Sequence, residues 1–98
     1  YYAFSSSVAQ PAGIALDSNG TRMYITDRSK DKFHQFSLST SWDLSTASYD
    51  NKTLAISDGN PYNCFISSDD TKIYYIGDTT DKVYEYLLGV DSWSEEGT

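Results

Sequence analysis

Carboxylate pairs occupy two loops of this 98-residue chain, and they are its clearest candidates for chemistry. Asp27 and Asp31 lie in the segment DRSKD, and Asp78 and Asp81 lie in DTTD. Calcium binds clustered oxygen ligands, which makes these pairs candidate ligands. Aspartate is also a common turn residue, and neither segment has the ligand spacing of an EF-hand. We therefore expect no cofactor, with calcium as the minor alternative.

Nucleophilic catalysis has weaker support. The chain has one histidine, His34, and no Gly-x-Ser-x-Gly segment, so a hydrolase triad is not indicated. His34 stands in the middle of a predicted strand, where packing or hydrogen bonding between structural units is the ordinary role. We predict no catalytic residue.

Composition narrows the classes of partner. Fourteen acidic residues against seven basic ones give a net charge of −7, which repels nucleic-acid phosphates and anionic lipid heads. Apolar runs such as YLLGV at 86–90 are too short to span a membrane. A single cysteine, Cys64, allows no internal disulfide and is expected to be a small buried hydrophobe. We expect neither nucleic acid nor a membrane as partner, and a soluble protein with an extracellular or virion-associated location as one option.

The residue pattern is that of an all-β protein. Tyrosines and phenylalanines stand in short runs bounded by Ser, Asp, Asn and Gly, and no window shows helical spacing. Asn19-Gly20 suits a tight hairpin turn, and SSDD at 67–70 is its less regular counterpart. The predicted strands are Gly13–Asp17, Arg22–Asp27, Lys32–Leu38, Tyr49–Ser57, Tyr62–Ser67, Lys72–Gly77 and Lys82–Leu88.

The chain repeats itself after fifty positions. Trp42 and Trp93 correspond after one inserted residue, which favours packing over sugar stacking for both indoles. A period near fifty in an all-β chain is typical of propeller blades, each a four-stranded meander. The identical pairs are Pro11/Pro61, Ser18/Ser68, Thr21/Thr71, Tyr24/Tyr74, Asp31/Asp81, Lys32/Lys82 and Leu38/Leu88.

The segment PAGIALDSNGTRMYITDRSKDKFHQFSL, residues 11–38, resembles a blade of the β-propeller group that includes NHL, YncE-like and lactonase-like repeats. The next segment, STSWDLSTASY, is similar to propellers of bacterial, phage and marine metagenomic origin. The second copy departs from the pattern. It has Asp70 in place of the turn glycine, and residues 62–64 read Tyr-Asn-Cys where residues 12–14 read Ala-Gly-Ile.

This resemblance implies two four-stranded blades per chain, circularly permuted and closing into a full propeller by homo-oligomerisation. We expect residues 1–8 to be an outer strand that completes a neighbouring blade, 9–57 the first blade, and 58–98 a second blade of three strands. A trimer is favoured over a tetramer. The chain is also interpreted as a fragment of a larger secreted, surface or virion protein.

By analogy with such propellers, four loops share one face, and their polar and aromatic residues are suited to a small polar ligand, a glycan or a protein. A non-catalytic binding or structural module is the first functional hypothesis. The alternative is a metal-dependent lactonase-like hydrolase assembled around a central channel. The predicted ligand-binding residues are Gln10, Asp27, Arg28, Asn60, Tyr62, Asn63 and Asp78.

Overall fold

The computed structural model describes residues 3–4, 8–56, 61–77, 81–88 and 93–95. None of the helices in these ranges is long and apolar enough to cross a membrane. One 3-10 turn, Leu44–Thr46, interrupts a chain of strands. The strands are β1 (Pro11–Leu16), β2 (Arg22–Asp27), β3 (Lys32–Leu38), β4 (Ala47–Ala55), β5 (Pro61–Ile66), β6 (Lys72–Gly77), β7 (Lys82–Leu88) and β8 (Trp93–Glu95).

The strands form two antiparallel meanders with the same topology. The first sheet has the order β1-β2-β3-β4, and the second has the order β5-β6-β7-β8. Pro11 pairs with Asp27 and Pro61 pairs with Gly77, so the fifty-residue repeat is also a repeat of register. The predicted all-β architecture of two blade-like sheets is confirmed. Three predicted strands begin one or two residues late, and the predicted three-stranded second blade has a short fourth strand, β8, paired with β7.

The turn glycine that the second copy lacks is replaced without a change of conformation. Gly20 has φ 69°, and Asp70 takes the same left-handed region with φ 62°. Aspartate is among the few residues that tolerate this region. The Asp70 carboxylate also accepts hydrogen bonds from the backbone N–H and the hydroxyl of Ser18 in the first sheet. Asp70, at which the second copy departs from the repeat, therefore links the two sheets.

The two sheets pack face to face around an aromatic cluster. Phe33 is fully buried, and its ring meets Tyr75 and Tyr86 edge-on at centroid distances of 5.5 and 5.8 Å. At the same contact the Thr26 hydroxyl donates a 2.7 Å hydrogen bond to the Tyr62 carbonyl. Side chains from both sheets fill the remaining space of this core, namely Ala15, Tyr24, Ile56, Cys64, Ile66 and Ile73.

Gly13 allows the inner strands of the two sheets to approach. A Cβ atom at this position would lie 2.6 Å from Cα of Asn63, 2.7 Å from the Tyr62 carbonyl oxygen and 2.9 Å from the Thr26 hydroxyl. Two of these neighbours belong to backbone, which cannot rotate away. We expect Gly13→Ala to lower the free energy of unfolding by about 2 kcal/mol because the sheets must separate. Urea unfolding measures this, and an unchanged midpoint would contradict the close approach.

Each sheet also has a face turned away from the other sheet. The first open face carries Met23, Ile25 and Phe36, and it is partly covered by Phe4, whose ring centroid lies 5.5 Å from that of Phe36. The second open face carries the exposed side chains of Phe65, Ile76, Val83 and Leu87. Because propeller blades pack on both faces, we expect six central-strand residues to be largely buried, namely Met23, Tyr24, Ile25, Ile73, Tyr74 and Tyr75. Five of them are buried, and Tyr74 is half-buried on the second open face.

Candidate functional site

The loops that precede β1 and follow β2 meet at one end of the first sheet. Gln10 is exposed, and its carbonyl accepts a 3.0 Å hydrogen bond from the backbone N–H of Arg28. Asp27 ends β2 directly beneath this contact. Three of the predicted ligand-binding residues, Gln10, Asp27 and Arg28, are therefore brought together by local hairpin geometry.

Asp27 is fully buried, and its carboxylate holds the loops in place. Burial opposes its ionisation, but hydrogen bonds to the charged form outweigh burial and lower its pKa. A carboxylate with this many donors is occupied by its own chain. The Oδ1 atom accepts from the backbone N–H groups of Gln10, Ser29 and Lys30, and Oδ2 accepts from that of Ala9 and from Nε2 of His34.

His34 joins Asp27 to Tyr49. Its Nε2 lies 3.1 Å from Asp27 and its Nδ1 lies 3.0 Å from the Tyr49 hydroxyl. Burial lowers the pKa of His34 despite the neighbouring carboxylate, so the ring is neutral at pH 7. The neutral ring then donates from Nε2 to Asp27 and accepts the Tyr49 O–H at Nδ1. His34 forms hydrogen bonds as predicted, but within the first sheet rather than between sheets.

The Asp27–His34–Tyr49 arrangement has the order of a carboxylate–imidazole–hydroxyl relay. Its hydrogen bonds, however, serve to stabilise the fold. Burial, followed by the charge of Asp27, raises the pKa of the Tyr49 phenol, which makes it a poor nucleophile at neutral pH. His34 and Asp27 are both inaccessible to a substrate. The relay instead clamps β3, β4 and the loop at 27–30 together.

Arg28 and Tyr62 connect the loop end of the first sheet to the second sheet. The guanidinium carbon lies 4.8 Å from the centroid of the Tyr62 ring, a cation–π contact. Tyr62 lies in a β-bulge of β5, because Pro61 and Cys64 pair with Gly77 and Tyr75 and leave two residues opposite one. The buried Nε atom of Arg28 has no hydrogen-bond partner among the described residues. Both side chains remain partly exposed.

The remaining predicted site residues are Asn60, Asn63 and Asp78. Asn63 is exposed beside Tyr62, and its side-chain oxygen accepts a 3.0 Å bond from the Cys64 N–H. Asn60 and Asp78 lie outside the described residues. Within the described ranges, no three residues among His, Cys, Asp and Glu come together as a metal site, and calcium binding stays an untested expectation.

Two further sequence expectations have structural outcomes. Cys64 is buried, as expected, and burial raises the pKa of its thiol to about 12. Trp42 is exposed over 60% of its surface and covers Gly20, where a Cβ atom would lie 2.4 Å from the indole ring. Sequence reasoning did not identify Tyr49 or Thr26 as polar partners, and no spacing in the sequence pairs them with His34 or with the second sheet.

Comparison with known proteins gives a structural likeness. No protein-family model matches this sequence, and no curated protein matches it. A crystal structure from Bacteroides uniformis, of a protein assigned as a 6-phosphogluconolactonase, superposes with a TM-score of 0.77 at 16% sequence identity. The match covers 96% of this chain but only 30% of that chain. This chain therefore shares the fold of a part of that structure, two propeller-like antiparallel sheets packed face to face.

Proposed function

We infer that this chain is a non-catalytic binding module, and that its loop face binds a small polar ligand with a negatively charged group. The observation that carries this proposal is the Arg28 guanidinium, held over Tyr62 at the boundary between the sheets with a buried Nε that has no acceptor among the residues the structure describes. A buried donor without an acceptor is uncommon, and an anion or an ordered water is the usual completion.

The local charge supports an anionic ligand. Arg28, Lys30 and Lys32 are three of the seven basic residues of a chain whose net charge is −7, and they outnumber Asp31, the half-buried acidic residue of the same segment. Asp27 directly precedes Arg28. Its carboxylate accepts hydrogen bonds from its own chain, and the residue is buried and does not face the solvent. A planar guanidinium recognises carboxylate and phosphate groups in a bidentate manner, and Tyr62 offers an apolar ring beside it.

Calorimetric titration with gluconate and with inorganic phosphate tests the proposal, with glucose as the uncharged comparison. We expect the wild-type chain to bind at least one of the two anions, and Arg28→Gln to weaken that binding about tenfold, as expected for loss of a charge-assisted pair. Lys52→Gln is the control, because it removes the same charge from β4 at the far edge of the sheet. Equal weakening by both variants, or no binding of either anion, would contradict an Arg28 site.

A metal-dependent lactonase is the second candidate, favoured by the structural likeness to a protein assigned as a 6-phosphogluconolactonase. Because this chain spans 30% of that chain, the activity of any complete assembly is itself a proposal. The Asp27–His34–Tyr49 relay gives this candidate no support, since Asp27 and His34 are buried and the three side chains are bonded to one another. Hydrolysis of 6-phosphogluconolactone that stops on addition of a chelator would replace the first function with this one.

A further inference from the structure

The second open face exposes positions that the first sheet buries. Val83 is 68% exposed, whereas Phe33, fifty residues earlier, is fully buried between the sheets. Phe65 is 66% exposed, whereas its equivalent Ala15 is 9% exposed. The two sheets have the same topology and register, so these are the same places on the same scaffold. What covers them in the first sheet is the second sheet.

The exposed positions form an apolar surface that also carries an ion pair, in which Nζ of Lys72 lies 3.5 Å from Oε2 of Glu85. Ile76 and Leu87 stand on the same side of β6 and β7 as Val83, and both are exposed. Phe65 contacts Tyr74 at a centroid distance of 6.4 Å and extends the surface over β5. Contiguous exposed apolar side chains of this kind mark an interaction surface on a folded protein.

The first open face corresponds to the other side of the contact between the two sheets. It is equivalent to the face by which the second sheet packs on the first, with Ile25 and Phe36 where the second sheet has Tyr75 and Tyr86. Ile14 is 48% exposed there. A cleft of about 330 Å³ on this face is lined by Phe4, Pro11, Gly13, Ile14, Met23 and Ile25. Apolar cavities of about 150 Å³ already hold a benzene ring, so the cleft admits a large side chain.

Phe4 already occupies a place that belongs to a further sheet. Leu54 lies on β4, the outer strand of the first sheet, and packs into the core between the sheets. Phe4 stands fifty residues before Leu54 and packs in the same way on the first open face. The first open face is therefore built like a contact between two sheets, with one outer-strand side chain in position.

From these observations we propose that the second open face of one chain docks on the first open face of a second copy of this chain. The contact repeats, between chains, the contact that joins the two sheets within a chain. Val83 of one copy then lies over Ile25 and Phe36 of the next, as Phe33 lies over Tyr75 and Tyr86. Such a contact is heterologous, and its repetition closes a ring if the rotation permits.

Side-chain sizes on the second open face are compensated. The first sheet has small Ala15 on β1 and large Phe33 on β3, and the second has large Phe65 on β5 and small Val83 on β7 at the same places. The innermost strands differ more. Asn63 occupies the place of Gly13, where a Cβ atom meets the neighbouring backbone, so the docked copies must stand slightly farther apart at β5 than the two sheets do at β1.

Light scattering of the full chain tests the docking. We expect the wild-type chain at micromolar concentration to have a mass of at least two chains, each of 11.0 kDa. Val83→Lys and Ile14→Lys each place a charge on one open face, and each is expected to reduce the mass to that of one chain. Both positions are exposed within the chain, so its own fold is preserved. Ser39→Lys, with the same charge change on an exposed loop, should keep the wild-type mass.

Mixing the two variants distinguishes head-to-tail docking from a symmetric dimer. Val83→Lys retains the first open face and Ile14→Lys retains the second, so an equimolar mixture should form a dimer of one copy of each and grow no further. Formation of this dimer also shows that both variants are folded. A wild-type monomer, an Ile14→Lys variant that dimerises alone, or a mixture that stays monomeric would overturn the proposal and leave the face to another partner.

Discussion

Phe33→Ala is expected to lower the free energy of unfolding by about 4 kcal/mol, the largest effect of any single substitution considered for this chain. Phe33 is fully buried, and its ring is the only described side chain that meets both Tyr75 and Tyr86 edge-on. Removing it leaves a cavity between two sheets, and rigid strands on both sides limit collapse into that cavity. Chemical denaturation measures the loss.

Phe65→Ala is the matched control because it deletes the same ring from the second open face. At concentrations where light scattering shows single chains, its effect should stay within about 0.5 kcal/mol. Similar losses for the two variants would mean that the two sheets do not pack through Phe33. A chain whose Phe33→Ala variant is as stable as wild type would contradict the aromatic core itself.

Asp27→Asn is expected to lower the free energy of unfolding by about 3 kcal/mol at pH 7. The substituted amide keeps one acceptor oxygen for the donors at Oδ1. Its NH₂ group then faces the N–H of Ala9 and the ring of His34, which bond to Oδ2 in the wild type. Asp31→Asn makes the same isosteric change in the same loop and should alter stability by less than about 0.5 kcal/mol.

The pH dependence of stability checks the same network. The folded-state pKa of Asp27 lies below its ordinary value of 3.8, so its contribution is complete above 3.8 and disappears as pH falls through the folded pKa. The folded-state pKa of His34 lies below 6.5, so the unfolded chain takes up that proton first and stability declines as pH falls below 6.5. The wild-type and Asp27→Asn stability curves should converge in acid, and a constant gap would contradict an ionised Asp27.

The repeat could be predicted because local rules dictate it. Alternating apolar residues and Asn-Gly or Asp-rich turns specify a hairpin wherever they occur, so writing them twice at a spacing of fifty specifies two equal meanders. The central strands β2, β3, β6 and β7 were predicted with the bounds observed. The grouping of Gln10, Asp27 and Arg28 was expected by analogy with propellers and not from the hairpin signals.

Other contacts depend on irregular pairing, which periodicity does not encode. Gln35 pairs with Lys52 and Phe36 with Tyr49, so Asp50 and Asn51 are bulged out of the ladder. This bulge sets the place of Tyr49 beside His34. A bulge at Tyr62 likewise turns its carbonyl toward Thr26, and its ring lies against Arg28. A register shift moves every later side chain, and hairpin signals alone do not reveal it.

By itself, the sequence determined that this chain folds as two similar four-stranded sheets, because strand alternation and turn chemistry act over a few residues. Only the tertiary structure decided which face of each sheet is covered, since Phe33 and Val83 have the same place in the repeat and opposite environments. It also decided that Asp27 is buried and that its carboxylate holds loops together. The burial of a side chain depends on how the sheets are arranged in space. Residues with the same local pattern therefore differ in burial whenever one of them lacks a neighbouring sheet.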